Sequence, residues 1–423
     1  MRKGVAALVL AVTGTLIPTV AHAGAYSPDP SYQANAIVRD AKFANGAIYL
    51  GGEFTSMRPA GADLGTNEVT RNHAAAIDAG TGALLPWNPN VNGTVYSLVV
   101  DGGTVYLAGQ FTSVNGVARK NLAAVDATTG AVKSWSPKSS GAVRVIVMGP
   151  NGNLFIGGGF GTVSGLTRNR LAEVTPSGSV TSWSVNVSQV TGFACPPRCP
   201  PVVFTIDFSS DGKTVYFGGH FGLVNGVPRN EVAAVPIADG STVLAWDPDV
   251  YADANCPLCT TNETSRVYHL IITSTKAYMC GGFWKVYHGT RRAYNVLVTN
   301  LTTGEPDPVY SAGNDGDTPG CALRGNVLYF GGHFNYVGKI CSQNPGGGAT
   351  KCTVDNSTTR HHVAAVDATT GAVLAWDANA NSNHGIWSIE TGPNGQMAFT
   401  GYFTRIGGYK QQMIAKYSDS HLI

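Results

Sequence analysis

Residues 105–116 read Val105-Tyr106-Leu107-Ala108-Gly109-Gln110-Phe111-Thr112-Ser113-Val114-Asn115-Gly116, which is a short apolar run, a glycine, an aromatic residue and a turn. The pattern recurs at 49–54, 155–160, 216–221, 278–283, 329–334 and 398–403, so the chain holds seven copies. Self-similarity of this kind is typical of repeat proteins, whose fold follows from the repeated unit. It outweighs the two or three domains that 423 residues would otherwise suggest.

Each unit carries the signals of four strands. In the second unit, Thr94 to Asp101 alternates apolar and polar residues, Val105 to Phe111 follows a Gly-Gly turn, and Asn121 to Asp126 is largely apolar. A turn containing Gly130 then leads to a last strand with Trp135. Four antiparallel strands in about 50–60 residues make the blade of a β-propeller. The sequence therefore predicts an all-β, seven-bladed β-propeller.

The last strands indicate how the ring closes. Tryptophan, often followed by proline, marks five of them, and Pro306-Asp307-Pro308 marks a sixth without the tryptophan. The seventh unit ends near Tyr417 and leaves almost no chain for a fourth strand. Tyr26-Ser27-Pro28-Asp29-Pro30 has the same pattern. We expect this N-terminal strand to complete the last blade, which would remove open sheet edges.

The first 23 residues have the features of a secretory signal peptide. Arg2 and Lys3 precede the apolar run Val5 to Val12, and Ala21-His22-Ala23 fits a cleavage site. The predicted organisation is a signal peptide at 1–23 and a single propeller domain at 24–423, secreted to the extracellular space. The run is too short to span a bilayer, and no other stretch reaches about 18 apolar residues, so no membrane span is expected.

The charge balance gives little support to nucleic-acid binding. Loss of Arg2 and Lys3 with the signal peptide lowers the formal net charge from +2 to 0. No run of like charge stands out, and a protein that binds a phosphate backbone needs a basic surface.

The eight cysteines form an even set in a chain predicted to be exported, which indicates disulfides. Cys195–Cys199, Cys256–Cys259 and Cys341–Cys352 are pairs close in sequence, and Cys280–Cys321 is the remaining pair, across neighbouring repeats. A redox or zinc motif is the alternative for Cys256 and Cys259, but the loop lacks a second ligand pair.

The extra length of the longer units lies in three loops that each contain a close cysteine pair, 189–201, 251–265 and 340–359. Strand connections of these kinds emerge on one face of a propeller, and elaborated loops commonly carry function. We expect a ligand to bind the rim built from 189–201, 251–265, 283–290 and 335–359, through five aromatic residues: Phe193, Tyr251, Trp284, Tyr287 and Tyr336. The other interpretation of Trp284 and Tyr336 is that they pack between blades.

Two further positions repeat around the ring. The residue before the repeated phenylalanine is often polar, as in Glu53, Gln110, His220 and His333, and either lines the channel or bonds between blades. A basic residue opens each third strand and either attracts an anion or bonds to nearby carbonyls, at Arg71, Arg119, Arg168, Arg229, Arg292, Arg360 and Lys410. The second alternative is favoured for both sets.

The repeated Tyr-x-Gly-Gly-x-Phe motif, followed by a turn and Arg-Asn, resembles the delta-60 repeat propellers of bacterial secreted and surface proteins. It is also similar to the repeats of fungal cortical polarity markers. These resemblances imply an extracellular recognition or scaffold module. Ala76-Ile77-Asp78-Ala79-Gly80-Thr81-Gly82 with Trp87 is similar to the tryptophan-docking motif of quinoprotein dehydrogenases, although the tryptophan falls one residue later.

The sequence contains neither a Gly-x-Ser-x-Gly elbow nor a His-Glu-x-x-His motif, and Asn314-Asp315-Gly316-Asp317 lacks the later residues of a calcium loop. We therefore expect no catalytic residue, metal or cofactor. The predicted function is a secreted, non-catalytic propeller for ligand recognition, adhesion or scaffolding, with an extracellular glycan, peptide or protein as partner. The alternative is a propeller enzyme, either a quinoprotein-like dehydrogenase or a polysaccharide-active enzyme.

Overall fold

Seven antiparallel sheets of one kind make up most of the structure, a computed structural model that describes residues 26–189, 200–250, 265–283, 285–286, 291–339, 358–382 and 384–423. In each sheet the second strand lies between the first and the third. The first strands of consecutive sheets contact each other in a ring, and that of the seventh contacts that of the first. The predicted all-β propeller is confirmed, and we number the sheets as blades one to seven in chain order.

The strand bounds follow the predicted repeat. The first strands are Val38–Ala44, Thr94–Asp101, Val143–Met148, Val202–Phe208, Arg266–Ile272, Gly320–Arg324 and Ile386–Thr391. The second strands are Ala47–Gly52, Thr104–Gln110, Leu154–Gly158, Thr214–His220, Lys276–Gly282, Val327–Gly331 and Met397–Gly401. The third strands are Ala74–Asp78, Leu122–Asp126, Leu171–Val174, Val232–Pro236, Val296–Asn300, Val363–Asp367 and Ile414–Tyr417.

The fourth, outer strand of a blade is reduced to a few contacts except in blade three, where Val180–Ser184 is a full strand. Bridges between Ile77 and Leu84 and between Val125 and Val132 represent it in blades one and two. In blade seven the outer contact comes from the N-terminal segment, because Asp29 bridges Lys416. The Lys416 ammonium, almost fully buried, also lies 3.2 Å from the Asp29 carboxylate.

Short strands complete the structure on the face where the first strands begin, which we call the upper face. Two 3-10 turns belong to blade seven, one between its first and second strands and one after its third strand. The short strands are Gln33–Ala34, Ser56–Arg58, Val69–Thr70, Ser113–Val114, Val117–Ala118, Thr162–Val163, Leu166–Thr167, Val187–Ser188, Leu223–Val224, Val227–Pro228, Lys285–Val286, Arg291–Arg292, Ala312–Asn314, Tyr336–Lys339, Thr358–Thr359, Arg405–Ile406 and Tyr409–Lys410. The 3-10 turns are Pro393–Gly395 and Asp419–His421. None of the helices described is long and apolar enough to cross a membrane.

Tryptophans on the outer strands hold neighbouring blades together. Trp87 packs edge-to-face on Tyr49 of the same blade, with ring centroids 5.2 Å apart, and its indole N–H donates to Asp126 O of the next blade at 2.9 Å. Trp135 makes the same two contacts: it packs edge-to-face on Tyr106, and its indole N–H donates to Thr175 O of the next blade. The motif shared with quinoprotein repeats is therefore used here for packing between blades.

The basic residues that open the third strands also serve packing within the blade. The Arg71 guanidinium donates to Thr70 O and, at 3.0 Å, to Leu85 O beside the outer strand. The same two-carbonyl arrangement occurs at Arg119, Arg168, Arg229 and Arg360. The Arg292 side chain lies outside the described residues, and Lys410 contacts Asp63. These guanidinium groups bond to carbonyls, as the favoured interpretation predicts.

Candidate binding site at the channel mouth

Six of the first strands carry a β-bulge near their start, where the pairing with the second strand shifts by one residue. A bulge redirects a side chain and is common at rims and binding sites. The extra residue is an arginine or an aromatic residue in all six blades: Arg39, Tyr96, Arg144, Phe204, Tyr268 and Trp387. We call these six residues the collar.

The collar residues form three contacting pairs, each between neighbouring blades. The Arg39 guanidinium carbon lies 4.2 Å from the ring centroid of Trp387, and that of Arg144 lies 3.9 Å from the centroid of Tyr96. Phe204 and Tyr268 lie 5.3 Å apart at an interplanar angle of 48°. Cation–π and aromatic contacts of this kind fix the side chains in place before any ligand arrives.

Blade six breaks the ring. Its first and second strands pair from Gly320 to Arg324 without a shift in register, and a buried proline, Pro319, precedes them. Proline lacks an N–H and fixes its own backbone, which suits the start of a strand. The collar is therefore open on the side of blade six.

The collar surrounds one end of a cavity of about 420 Å³ that runs between the first strands of the blades. All six collar side chains are half-buried and line this cavity. Cavities of about 300–1,000 Å³ are the size that takes small ligands or the end of a chain. The collar is thus a preformed mouth to an axial channel.

Polar groups just outside the collar differ from one side to the other. The Arg39 Nε donates to the Glu53 carboxylate at 2.9 Å, and the Tyr96 hydroxyl lies 3.4 Å from the Gln110 side-chain oxygen. Arg144 forms no ion pair with any described carboxylate, and its guanidinium stacks on the Tyr96 ring. The positive charge of Arg144 is therefore available to a ligand.

A charged cluster lies deeper in the channel. The Lys42 ammonium lies 3.1 Å from Asp40 and 2.8 Å from Glu390 of blade seven. Burial alone would lower the pKa of Lys42, but the two carboxylates outweigh it and the pKa is raised. Burial raises the pKa of Glu390 against the opposing effect of Lys42. Burial and then the Lys42 charge lower the pKa of His269 to about 4.

Side chains from one blade bind the backbone amides of the next blade's first strand. Leu98 N–H donates to Asp40 at 3.0 Å, and Ile146 N–H donates to the Ser97 hydroxyl at 3.3 Å. Further along the ring, Leu270 N–H and Ile272 N–H donate to side chains of blade four, at Thr205 and Asp207. These four backbone N–H groups of the first strands are consequently not free to bind an added strand.

The site predicted from sequence falls mainly outside the described residues. Phe193, Tyr251, Trp284 and Tyr287 lie there, as do the cysteine pairs Cys195–Cys199, Cys256–Cys259 and Cys341–Cys352. Tyr336 is described and is 46% exposed, in a short strand on the upper face. The predicted disulfide between Cys280 and Cys321 is present, with Cα atoms 6.4 Å apart, and it joins blade five to blade six beside the channel. Binding by the aromatic rim remains a prediction.

The polar residues before the repeated phenylalanine do not share one environment. His220 is buried between blades, 3.3 Å from Glu231, and this carboxylate raises the pKa of His220 against the lowering effect of burial. Glu53 and Gln110 instead contact collar residues, and His333 is exposed. The expected position between blades is thus correct for His220, and the exposed His333 also lies beside the next blade, with its ring 5.8 Å from that of His384.

The Asn314 to Asp317 turn serves the backbone. The Asp315 carboxylate accepts from Asn335 N–H and Tyr336 N–H, both at 2.8 Å. Among the residues that the structure describes, no group of three histidine, cysteine, aspartate or glutamate side chains is placed to hold a metal ion.

The collar was missed in the sequence, although a signal exists. When the seven repeats are aligned on the first strand, six of them have an arginine or an aromatic residue directly after an apolar residue, as in Val95-Tyr96 and Val143-Arg144. The sixth repeat has Pro319 at this position. Such a position differs from the apolar or small residues expected in a packed interior.

Comparison with known proteins agrees with this fold. A family described as "Domain of unknown function (DUF5122) beta-propeller" matches residues 149–180, in blade three. No curated protein matches the chain. The structure is similar to the WD40 beta propeller domain of Doa1, at 12% identity and a TM-score of 0.51, over 93% of this chain and 99% of that one. It is also similar to the computationally designed Ika8 protein, at 13% identity and a TM-score of 0.48, with the same coverage.

Proposed function

We propose that the protein is a secreted, non-catalytic β-propeller that recognises an extracellular ligand at the collar. The supporting observation is that bulges in six blades turn only arginine and aromatic side chains toward the channel mouth. These residue types dominate binding hot spots, because their large rigid groups supply contact area at a low cost in side-chain entropy.

The arrangement favours recognition over simple packing. The collar rings are half-buried, in contrast to the outer-strand tryptophans such as Trp87, which is 2% exposed. A side chain that is held by a neighbour and still faces a cavity loses little freedom when a ligand binds. Tyr336, on the same face, offers an exposed ring to a ligand that extends beyond the channel mouth.

The test begins with the mature protein, residues 24–423, on glycan and peptide arrays. For the ligand found, Phe204→Ala and Trp387→Ala should each weaken binding by at least about tenfold, the usual effect at a hot spot. The melting temperature should stay within a few degrees of the wild-type value. Tyr409→Ala is the matched control, because Tyr409 is 51% exposed in a short strand of blade seven that pairs with Ile406 and contacts no collar residue.

Wild-type affinity in both collar variants would overturn the assignment of the site. Release of reducing sugar from a bound glycan, measured in the same samples, would overturn the non-catalytic role. Export is tested by sequencing the N-terminus of the protein from the culture medium, which should begin at Gly24; a protein that stays in the cell and begins at Met1 would contradict secretion.

A further inference from the structure

The geometry points to an acidic saccharide as the ligand of the collar, with its carboxylate bound by Arg144. This inference rests on the proposed function and adds the chemical class of the ligand. It follows from four features of the mouth: an arginine with no ion pair among the described residues, rings beside it, a narrow cavity, and first-strand amides that are already bonded.

Arg144 is a cation prepared for a carboxylate. Its guanidinium stacks on Tyr96 at 3.9 Å, and no described carboxylate forms an ion pair with it. Stacking on a ring leaves the N–H edge of the guanidinium free, and that edge matches a carboxylate in a two-bond geometry. Arg39 differs, because Glu53 already occupies its Nε. The free positive charge therefore lies on the side of blade three.

The rings next to Arg144 offer apolar faces to a sugar. Phe204 belongs to the next blade, and it packs at a tilt on Tyr268. The C–H face of a pyranose ring packs on such surfaces, whereas its hydroxyl groups need polar partners at the edge. The exposed Gln110 side chain and the Tyr268 hydroxyl, which lies 3.1 Å from Arg266, supply polar groups there.

The backbone argues against an extended peptide. Peptides commonly bind by adding a strand to free N–H and C=O groups. In the channel, the side chains of Asp40, Ser97 and Thr205 already accept from first-strand amides of the next blade. Recognition at the mouth must therefore use side chains, as saccharide recognition does.

The interior of the channel keeps the carboxylate at the mouth. Lys42 is the cation deeper inside, and it lies between Asp40 and Glu390. A ligand carboxylate that moved past the collar would meet these two acidic groups, and like charges repel most strongly where water is scarce. The cavity of about 420 Å³ admits one or two sugar units and no folded partner.

The experiment measures binding of oligosaccharides from polygalacturonate, alginate and hyaluronate, each paired with its carboxyl-reduced form. At least one acidic oligosaccharide should bind the mature protein at least tenfold more tightly than its reduced form. Arg144→Gln should bring this preference below about threefold, and Arg144→Lys should retain part of it, because it keeps the charge without the planar fork. Arg405→Gln, at an exposed arginine of blade seven whose guanidinium donates to Gly408 O, removes the same charge and should change nothing.

The outcomes separate this inference from the proposed function. If no acidic oligosaccharide binds, or if the reduced forms bind equally well, the acidic-saccharide ligand is wrong. If a neutral glycan or a peptide binds and Phe204→Ala abolishes that binding, the collar is the site but its ligand class is different. If acidic oligosaccharides bind and both Phe204→Ala and Trp387→Ala leave their affinity intact, the collar is not the site and both proposals fail.

Discussion

Blades one and two are joined at the periphery of the ring, whereas blades five and six are joined beside its axis. In the first case Trp87 packs on Tyr49 and donates to Asp126 O. In the second, the sequence Pro306-Asp307-Pro308 replaces the tryptophan strand, and Cys280 and Cys321 form a disulfide. The covalent bond therefore lies at the interface where the repeated tryptophan contact is lost.

Two further features distinguish blades five and six from the other blades. Tyr310, which follows the proline segment, is buried, and its hydroxyl finds no hydrogen-bond partner among the described residues. Burial raises the pKa of Tyr310. Blade six also lacks the bulge that supplies the collar. The fifth repeat has thus lost its outer tryptophan and the sixth its bulge, and a disulfide near the axis joins these two divergent blades.

The largest expected effect is that of Trp87→Ala. It removes a side chain that is 2% exposed, together with its ring contact and its hydrogen bond, so the free energy of unfolding should fall by about 3–5 kcal/mol. Denaturant unfolding followed by circular dichroism measures the loss. A fall below about 1 kcal/mol would mean that the tryptophan contact does not hold the periphery.

Removal of the disulfide should cost somewhat less. Cys280 and Cys321 are 41 positions apart, and closing a loop of that size stabilises a fold by about 2–4 kcal/mol. The Cys280→Ala/Cys321→Ala protein should unfold at a lower denaturant concentration than the oxidised wild type. With a reductant present during unfolding the difference should shrink, because the buried disulfide becomes accessible as the wild type unfolds and is then lost. A double variant as stable as the oxidised wild type would contradict a structural role.

A matched pair of hydroxyl deletions compares the two interfaces at a finer level. The Tyr49 hydroxyl donates to Ala127 O at 2.8 Å, so Tyr49→Phe should cost about 1 kcal/mol. Tyr310→Phe removes a buried hydroxyl without a described partner and should be neutral or stabilise by up to about 1 kcal/mol. Equal losses in both variants would show that Tyr310 is bonded in solution.

The smallest effect concerns pH. His269 lies opposite Cys280, at the position that Asp40 takes in blade one, and its pKa is lowered to about 4. The unfolded chain, with a histidine pKa near 6.5, binds more protons between these two values, so stability is lost as pH falls from about 6.5 toward 4.

His269→Gln should remove about 0.5–1 kcal/mol of that loss per pH unit below 6.5. Urea unfolding at pH 7.0, 6.0 and 5.0 in both proteins measures the difference between the two slopes. The buried Glu390, whose pKa is raised by burial, contributes to both proteins and cancels in the comparison. Parallel curves would show that folding does not lower the pKa of His269.

The repeat made the fold readable from the sequence, because each second strand has the same glycine and aromatic signals, as at Tyr106 and Gly109. The place of Trp87 on a last strand and the Cys280–Cys321 pair also followed from the repeat and from the cysteine count. A local pattern that recurs along the chain is the clearest structural signal in a single sequence.

The collar could not be predicted in the same way. A regular strand alternates its side chains, and a bulge inserts one residue without any obligatory residue type, so Arg39 and Asp40 both oppose Gly51. The channel cluster is equally hidden, since Lys42 meets Glu390 across 348 positions of sequence. Only the closure of the ring brings these groups together.

Closure of the ring also makes the pairing of the N-terminal segment depend on the last blade of the chain. Asp29 N–H donates to Lys416 O at 2.7 Å, and the Ser418 hydroxyl donates to Asp29, 389 positions away. The first six blades can form in the order of synthesis, while the strand around Asp29 waits for blade seven, and contacts so distant in sequence slow folding. A chain interrupted before Ile414 would keep unpaired strand edges at both ends of the arc, and such edges can pair with other chains. The closing contacts therefore form only in a chain that contains both Asp29 and blade seven.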